Sequence, residues 1–127
     1  MTGFPSVEKP WLKYYSKEAV EQPLPECTIY EYMLQNNAAY PNDIAINYLG
    51  HKILYKELFD RIDQTAAAFA ALGVKPEEIV TVALPSIPEA VYVIYALNKI
   101  GAVANMIHPL AGETEILNYL NETESRV

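Results

Sequence analysis

The chain has 127 residues, enough for one domain with a sizeable core, and a formal charge of −7 from nine Lys and Arg against sixteen Asp and Glu. The basic residues are scattered, which argues against nucleic acid as a partner, because neutralising phosphates takes clustered Lys and Arg. No run of roughly 18 apolar residues occurs, so no membrane span is predicted, and the lone cysteine, Cys27, excludes an internal disulfide framework.

Met1 to Glu26 reads as a leader. It holds four of the nine prolines and little periodicity. Met1 to Tyr15 has no apolar signal-peptide core, and with the unpaired thiol this suits a reducing, cytoplasmic setting. Within the leader, Trp11, Leu12, Tyr14 and Tyr15 favour partial docking on a surface. Thr28 and Glu31 have the spacing of a capping box and open a helix with Ile29, Tyr32 and Met33 as its apolar stripe. Asp43 to Leu49 alternates as a strand with Ile44, Ile46 and Tyr48 on one face. Gly50-His51 suits a type II′ turn, and Lys52 to Leu54 returns as the second strand of a hairpin.

Tyr55 to Leu72 is the longest predicted helix. Leu58, Ile62, Thr65, Phe69 and Leu72 face inward; Lys56, Asp60 and Asp63 face outward. Gly73 caps it. Glu78 to Leu84 is a strand covered on both faces. In the next stretch, Leu84 to Leu110, Ser86 and Glu89 are spaced as a capping box and Pro88 sits in the first helical turn. Ala90 to Leu97 is apolar enough to be covered nearly all round. Gly101 stops that helix, Val103 to Ile107 is a short strand, and Pro109 ends it. Gly112 to Asn121 is a last helix with Ile116, Leu117 and Leu120 inward, and Ser125 to Val127 has the look of a further strand beginning. Alternating elements of this kind predict a layered α/β fold with a mostly parallel sheet and crossover helices, plus the N-terminal hairpin.

Standard chemical motifs are missing. Neither a phosphate-binding P-loop nor a dinucleotide glycine fingerprint is present, nor a Cys/His cluster with metal-ligand spacing, nor a serine nucleophile elbow. Asn105, polar in an apolar strand, needs a hydrogen-bond partner, expected in a neighbouring loop. His108 stands at the carboxyl end of its strand, where open α/β sheets bind ligands. It is either a ligand-lining residue or an ordinary loop histidine. Tyr92 and Tyr95 read as core, His51 as a turn residue, and Cys27 as an unreactive residue ahead of a helix.

Four stretches carry a likeness in order. Ile53 to Leu58, ILYKEL, resembles the L-[TS]-Y-x-E-L motif of AMP-forming, adenylate-forming synthetases, with Leu54 departing from the Ser/Thr place. Ala66 to Pro85 resembles that family's alanine-rich helix, L-G-V turn and strand. Ala96 to Leu110 resembles L-x-K-x-G-A-x-x-x-x-x-x-P through Leu97, Lys99, Gly101, Ala102 and Pro109. PWLKYY, Pro10 to Tyr15, is similar to the opening of long-chain fatty acyl-CoA ligases.

The resemblance implies an enzyme that joins a carboxylic acid, a fatty acid by the leader, to ATP and then to coenzyme A, with Mg²⁺ on the phosphates. The family's Ser/Thr/Gly-rich loop ending P-K-G is not among these residues, nor is its C-terminal domain. Residues 27–127 are therefore expected to be the first portion of the large N-terminal domain and an incomplete part of it. On that reading the chain holds no catalytic residue and no metal site, binds no cofactor alone, is inactive alone, and self-associates through uncovered faces. His108, Pro109 and Leu110 are implied to lie toward the coenzyme A side; only Pro109 matches the motif itself. Two other readings stay open: another adenylating branch, such as an aryl-acid ligase or peptide-synthetase adenylation domain, and a self-standing non-catalytic α/β interaction module.

Overall fold

A computed structural model describes residues 3–127. Two short helices, α1 (Pro5–Glu8) and α2 (Lys17–Glu21), flank a 3₁₀ turn at Pro10–Tyr14. Then follow α3 (Ile29–Asn37), the strands β1 (Ile44–Tyr48) and β2 (His51–Leu54), and the long helix α4 (Tyr55–Ala71). The remainder is β3 (Ile79–Val82), α5 (Pro88–Lys99), β4 (Val103–Met106) and α6 (Glu113–Thr123). The fold is mixed α/β, as the alternation of elements predicts. Its strands form two separate pairs, the antiparallel hairpin β1–β2 and the parallel pair β3–β4 joined through α5. No helix among the described residues is long and apolar enough to cross a membrane.

The core has two parts. Tyr30, Ile53, Leu58, Ile62, Ala66 and Ala96 lie buried between the hairpin, α3, α4 and α5. Val74, Val80, Val82, Leu97 and Ala102 lie buried between α5 and the parallel pair. Ile62 and Leu97 are fully buried, as is the smaller Ala96; hiding an isoleucine or leucine side chain contributes about 2 kcal/mol. Gly101 has φ of 76°, and a Cβ there would lie 3.4 Å from the Cβ of Pro76. That is an ordinary contact, so the left-handed backbone explains the glycine after α5.

Several local expectations are corrected. The hairpin turn is Leu49-Gly50, not Gly50-His51: Tyr48 pairs with His51, and φ is 50° at Leu49 and 88° at Gly50. Two positive angles make this the type I′ family, whose twist matches the flanking strands. A bulge between Ile44 and Ile46 turns Ala45 and Ile46 half-inward while Ile44 and Tyr48 are exposed. In α3 the capping box of Thr28 and Glu31 forms, but Ile29 and Tyr32 are exposed and Tyr30, with Met33 and Leu34, supplies the inner face. Leu72 is exposed at the end of α4, and Ala66 is buried with Leu58 and Ile62.

The capping box expected of Ser86 and Glu89 does not form. The residue before a proline is pushed to extended backbone, so Ile87, with φ −119° and ψ 163°, becomes the cap and Pro88 the first helical residue. Helix α5 is also less enclosed than its sequence suggests: Ile94 is exposed and Val91, Tyr92, Val93 and Tyr95 are half-buried. In α6, Ile116 and Leu120 are half-buried while Leu117 is exposed.

Asn105 finds its partner across the sheet and not in a loop; its Nδ2 donates to Thr81 Oγ1 at 3.1 Å. Residues 125–127 run beside β3 without forming a strand of their own. Thr81 N donates to Val127 O at 2.8 Å, and Ser125 Oγ donates to Ile79 O at 2.9 Å. Every residue from Gly3 to Glu26 is exposed.

Leu49 bears a left-handed backbone that costs most L-residues about 1–2 kcal/mol and costs asparagine less. Leu49→Asn is expected to raise stability by roughly 1 kcal/mol, read as a higher urea midpoint at unchanged slope. A lower midpoint would show that the turn is not type I′ in solution.

Candidate functional site

The parallel pair fixes one edge from which two loops leave, residues 83–87 after β3 and residues 107–112 after β4. Ile107 N donates to Val82 O at 3.1 Å and holds the loop starts together. Beside them is a cleft of about 340 Å³, where Leu84, Ser86 and Ile87 face Ile46, Tyr48 and Met106. Its walls are apolar apart from the Ser86 and Tyr48 hydroxyls, so it suits a hydrocarbon surface better than a phosphate.

His108, Pro109 and Leu110 are all exposed next to this cleft, outside its lining. The His108 Nδ1 accepts a hydrogen bond from Leu110 N at 3.1 Å, and Ala111 N donates to His108 O at 3.0 Å. The imidazole is thus folded onto its own tight loop, with Nε2 left as its outward nitrogen.

A second cleft, of about 430 Å³, lies between the hairpin, α4 and α5 and gathers His51, Glu57, Arg61, Glu89 and Tyr92. Burial pushes the Tyr92 pKa up, with Glu89 and Glu57 adding to the effect and Arg61 opposing it. The Tyr92 hydroxyl therefore keeps its proton at neutral pH. Among the described residues no group of three or more His, Cys, Asp or Glu is placed to hold a metal ion. Neither cleft offers a glycine-rich cradle, and Arg61 is the one Lys or Arg between them. These residues do not fit a triphosphate with its Mg²⁺.

Sequence reasoning missed a polar latch. Lys99 Nζ pairs with Asp63 Oδ1 at 2.5 Å and reaches Tyr30 Oη at 3.2 Å. The Tyr30 hydroxyl lies 3.2 Å from the same carboxylate oxygen, and Lys99 sits 4.8 Å above the tyrosine ring. Asn98 Oδ1 accepts from Tyr30 N at 2.8 Å. Asp63, exposed as expected, also joins α4 to α3 and α5. The signal was the pair Asn98-Lys99 closing an otherwise apolar helix. Burial acts to lower the Lys99 pKa, but hydrogen bonds to Asp63 and Tyr30 outweigh it, and the net shift is upward. The resembling motif thus resolves into structural roles: Leu97 in the core, Lys99 in the latch, Gly101 at the helix stop, Ala102 buried beside β4.

Comparison with known proteins gives one consistent picture. The family model described as AMP-binding enzyme matches residues 34–127. The chain is 27% identical over 121 residues to a long-chain-fatty-acid–CoA ligase of Bacillus subtilis, covering 94% of this chain and 22% of that protein. It is 37% identical over 73 residues to triostin synthetase I of Streptomyces triostinicus, covering 58% of this chain and 14% of that one. In structure it resembles the N-terminal subdomain of Klebsiella oxytoca NpsA solved with 3-hydroxyanthranilyl-AMSN, with a TM-score of 0.75 at 24% identity over 79% of this chain and 26% of that one. At that identity the likeness concerns the fold. The chain spans about a fifth or less of the length of these curated relatives.

The latch is testable by a double-mutant cycle of Lys99→Met and Asp63→Asn. Both groups are partly exposed, so the expected coupling is only about 0.5–1 kcal/mol at moderate salt. A lysine whose pKa is raised on folding adds stability below its unfolded pKa, and that stability is lost as pH rises through the folded value. The penalty of Lys99→Met should therefore shrink above about pH 10.5, the ordinary lysine value. A coupling of zero would show the pair to be incidental.

Proposed function

Since the chain belongs to the AMP-binding enzyme family, whose model matches residues 34–127, we propose that it is the amino-terminal portion of an AMP-forming acyl-CoA synthetase acting on fatty acids. In that reaction a carboxylate attacks the α-phosphorus of ATP, giving an acyl-adenylate and pyrophosphate. The thiol of coenzyme A then takes the acyl group and releases AMP. Mg²⁺, when bound, shields the phosphates during the in-line transfer. On this reading residues 27–127 are the first portion of the large N-terminal domain, and residues 1–26 its leader. They build the frame and contribute no catalytic group. His108, Pro109 and Leu110 face the coenzyme A side, which accords with their exposure at the carboxyl end of β4. The setting is cytoplasmic.

The observation that carries the fatty-acid branch is the length of one match. Similarity to the fatty-acid ligase takes in 94% of the chain and so most of the leader, whereas the match to triostin synthetase I covers 58%. The higher identity of that shorter match favours, as a second reading, an adenylation domain acting on an amino or aryl acid.

Four experiments test the proposal. The 127-residue chain alone should show no acid-dependent ATP–pyrophosphate exchange. It should also scatter light above its monomer mass, because Val103 and Met106 leave apolar surface uncovered. Exchange above blank would overturn the fragment reading. In a synthetase that carries this chain, fatty acids should drive exchange better than aryl or amino acids; the reverse order selects the second reading. There His108→Ala should raise the KM for coenzyme A several-fold and leave adenylate formation unchanged. Equal effects on both steps would remove the loop from the coenzyme A side.

A further inference from the structure

Helix α5 carries more apolar surface than the rest of the chain covers. Ala96 meets one compartment of the core, and Leu97, with Val93, meets the other. A third stripe remains. Val91, Ile94, Tyr95 and Asn98 recur at helical spacing and share one side of the helix. Only Asn98 in that stripe is an amide, and its Oδ1 is engaged by Tyr30 N. A helix side that faces water ordinarily carries charged and polar residues. Here Ile94 is exposed and Val91 and Tyr95 are half-buried.

The stripe floors a trough. Val91 and Ile94 line the cleft of about 340 Å³ together with Leu84 and Met106. The same two side chains line a further cleft of about 510 Å³, which runs on to Ile29, Ala102 and Val103. The two clefts are therefore continuous, and no charged side chain lines either. Strand β4 lies along the trough. Among the described residues it pairs only with β3, so its other edge keeps free backbone groups. Val103 and Met106, at the two ends of that strand, are exposed.

A free strand edge beside an uncharged trough is what the inside of a larger domain presents, and length identifies the occupant. The chain matches 26% of the solved NpsA subdomain and 22% of the fatty-acid ligase. Most of one subdomain of this fold thus lies outside the matched stretch. We propose that the trough between α5 and β4 is the seat of that remainder: in a synthetase that carries this chain, an apolar face of the rest of the large N-terminal domain lies along Val91, Ile94, Tyr95 and Val103. The proposal rests on the synthetase reading and names the partner of the face beside the two loops. Leu84 and Met106 belong both to the trough and to the edge from which those loops leave, so seating the remainder also fixes the loops.

The test uses Ile94→Cys in a Cys27→Ser background, which leaves no other thiol. Maleimide labelling is timed in the 127-residue chain, at a dilution where it scatters light as a monomer, and in a synthetase that carries it. Each rate is referred to that of the same protein in guanidinium. The short chain should label fast and the synthetase about tenfold more slowly. In the unsubstituted proteins, amide exchange over Val103 to Met106 should also be slower in the synthetase, a readout that survives if the cysteine variant fails to fold. Equal rates in the two proteins would overturn the proposal. So would slow labelling of the short chain at every dilution, because the chain would then cover the trough itself. Protection that appears in the synthetase only when a fatty acid is added would overturn it as well and make the trough an acyl site. A protected trough in a longer protein without ATP–pyrophosphate exchange would instead sink the synthetase reading and support this assignment of the face.

Discussion

Ala96 and Leu97 are neighbours in α5 with no exposed surface, and they belong to different cores. Ala96 packs with Tyr30, Leu58 and Ile62 under the hairpin; Leu97 packs with Val80 and Val82 against the parallel strands. Adjacent helical residues point about 100° apart, so one helix serves as the wall between two apolar compartments. Its position is therefore fixed from both sides. Ile100, in the turn that follows, touches both compartments as well. The loops that leave β3 and β4 inherit their placement from this helix, because it connects the two strands.

Much of this frame was legible from period and punctuation. Leu58 and Ile62 recur at helical spacing in α4, Thr28 and Glu31 cap α3, and Gly101 ends α5. Each is a local rule with one physical solution. Misreadings arose where two local rules competed or where tertiary structure decided. Ser86 has cap chemistry, but Pro88 forces Ile87 into extended backbone and moves the cap by one residue. Gly50 signals a tight turn without saying on which side the second turn residue lies; the pairing of Tyr48 with His51 settles it. Tyr30 carries a hydroxyl and is easily assigned to the surface. Its burial requires Asp63 and Lys99, 33 and 69 residues away, and no window of sequence holds all three.

The site was less legible than the fold for a related reason. The stretches that betray kinship are the ones that hold the chain together. Tyr55 stacks on Phe59 with ring centroids 5.9 Å apart, Leu58 fills the core, and Lys99 latches three helices. Recognition of the family thus rests on packing residues, while function in this fold resides in loops, where the side chains are exposed and few interactions constrain them. His108 is a candidate by position alone. The geometry adds that its Nδ1 is occupied by Leu110 N, leaving one ring nitrogen to meet anything outside the chain.

The hydrogen bond from Tyr30 N to Asn98 has a further meaning. Tyr30 is the second residue of α3, where a backbone N–H has no partner within its own helix. Its amide proton is shielded by a side chain from α5, 68 residues onward. Solvent exchange at this one amide therefore measures how often α3 leaves α5, whereas the amides deeper in α3 report when the helix itself opens. The chain contains its own gauge for separating undocking from unfolding, located at the junction where the first helix of the folded body meets the helix that divides the core.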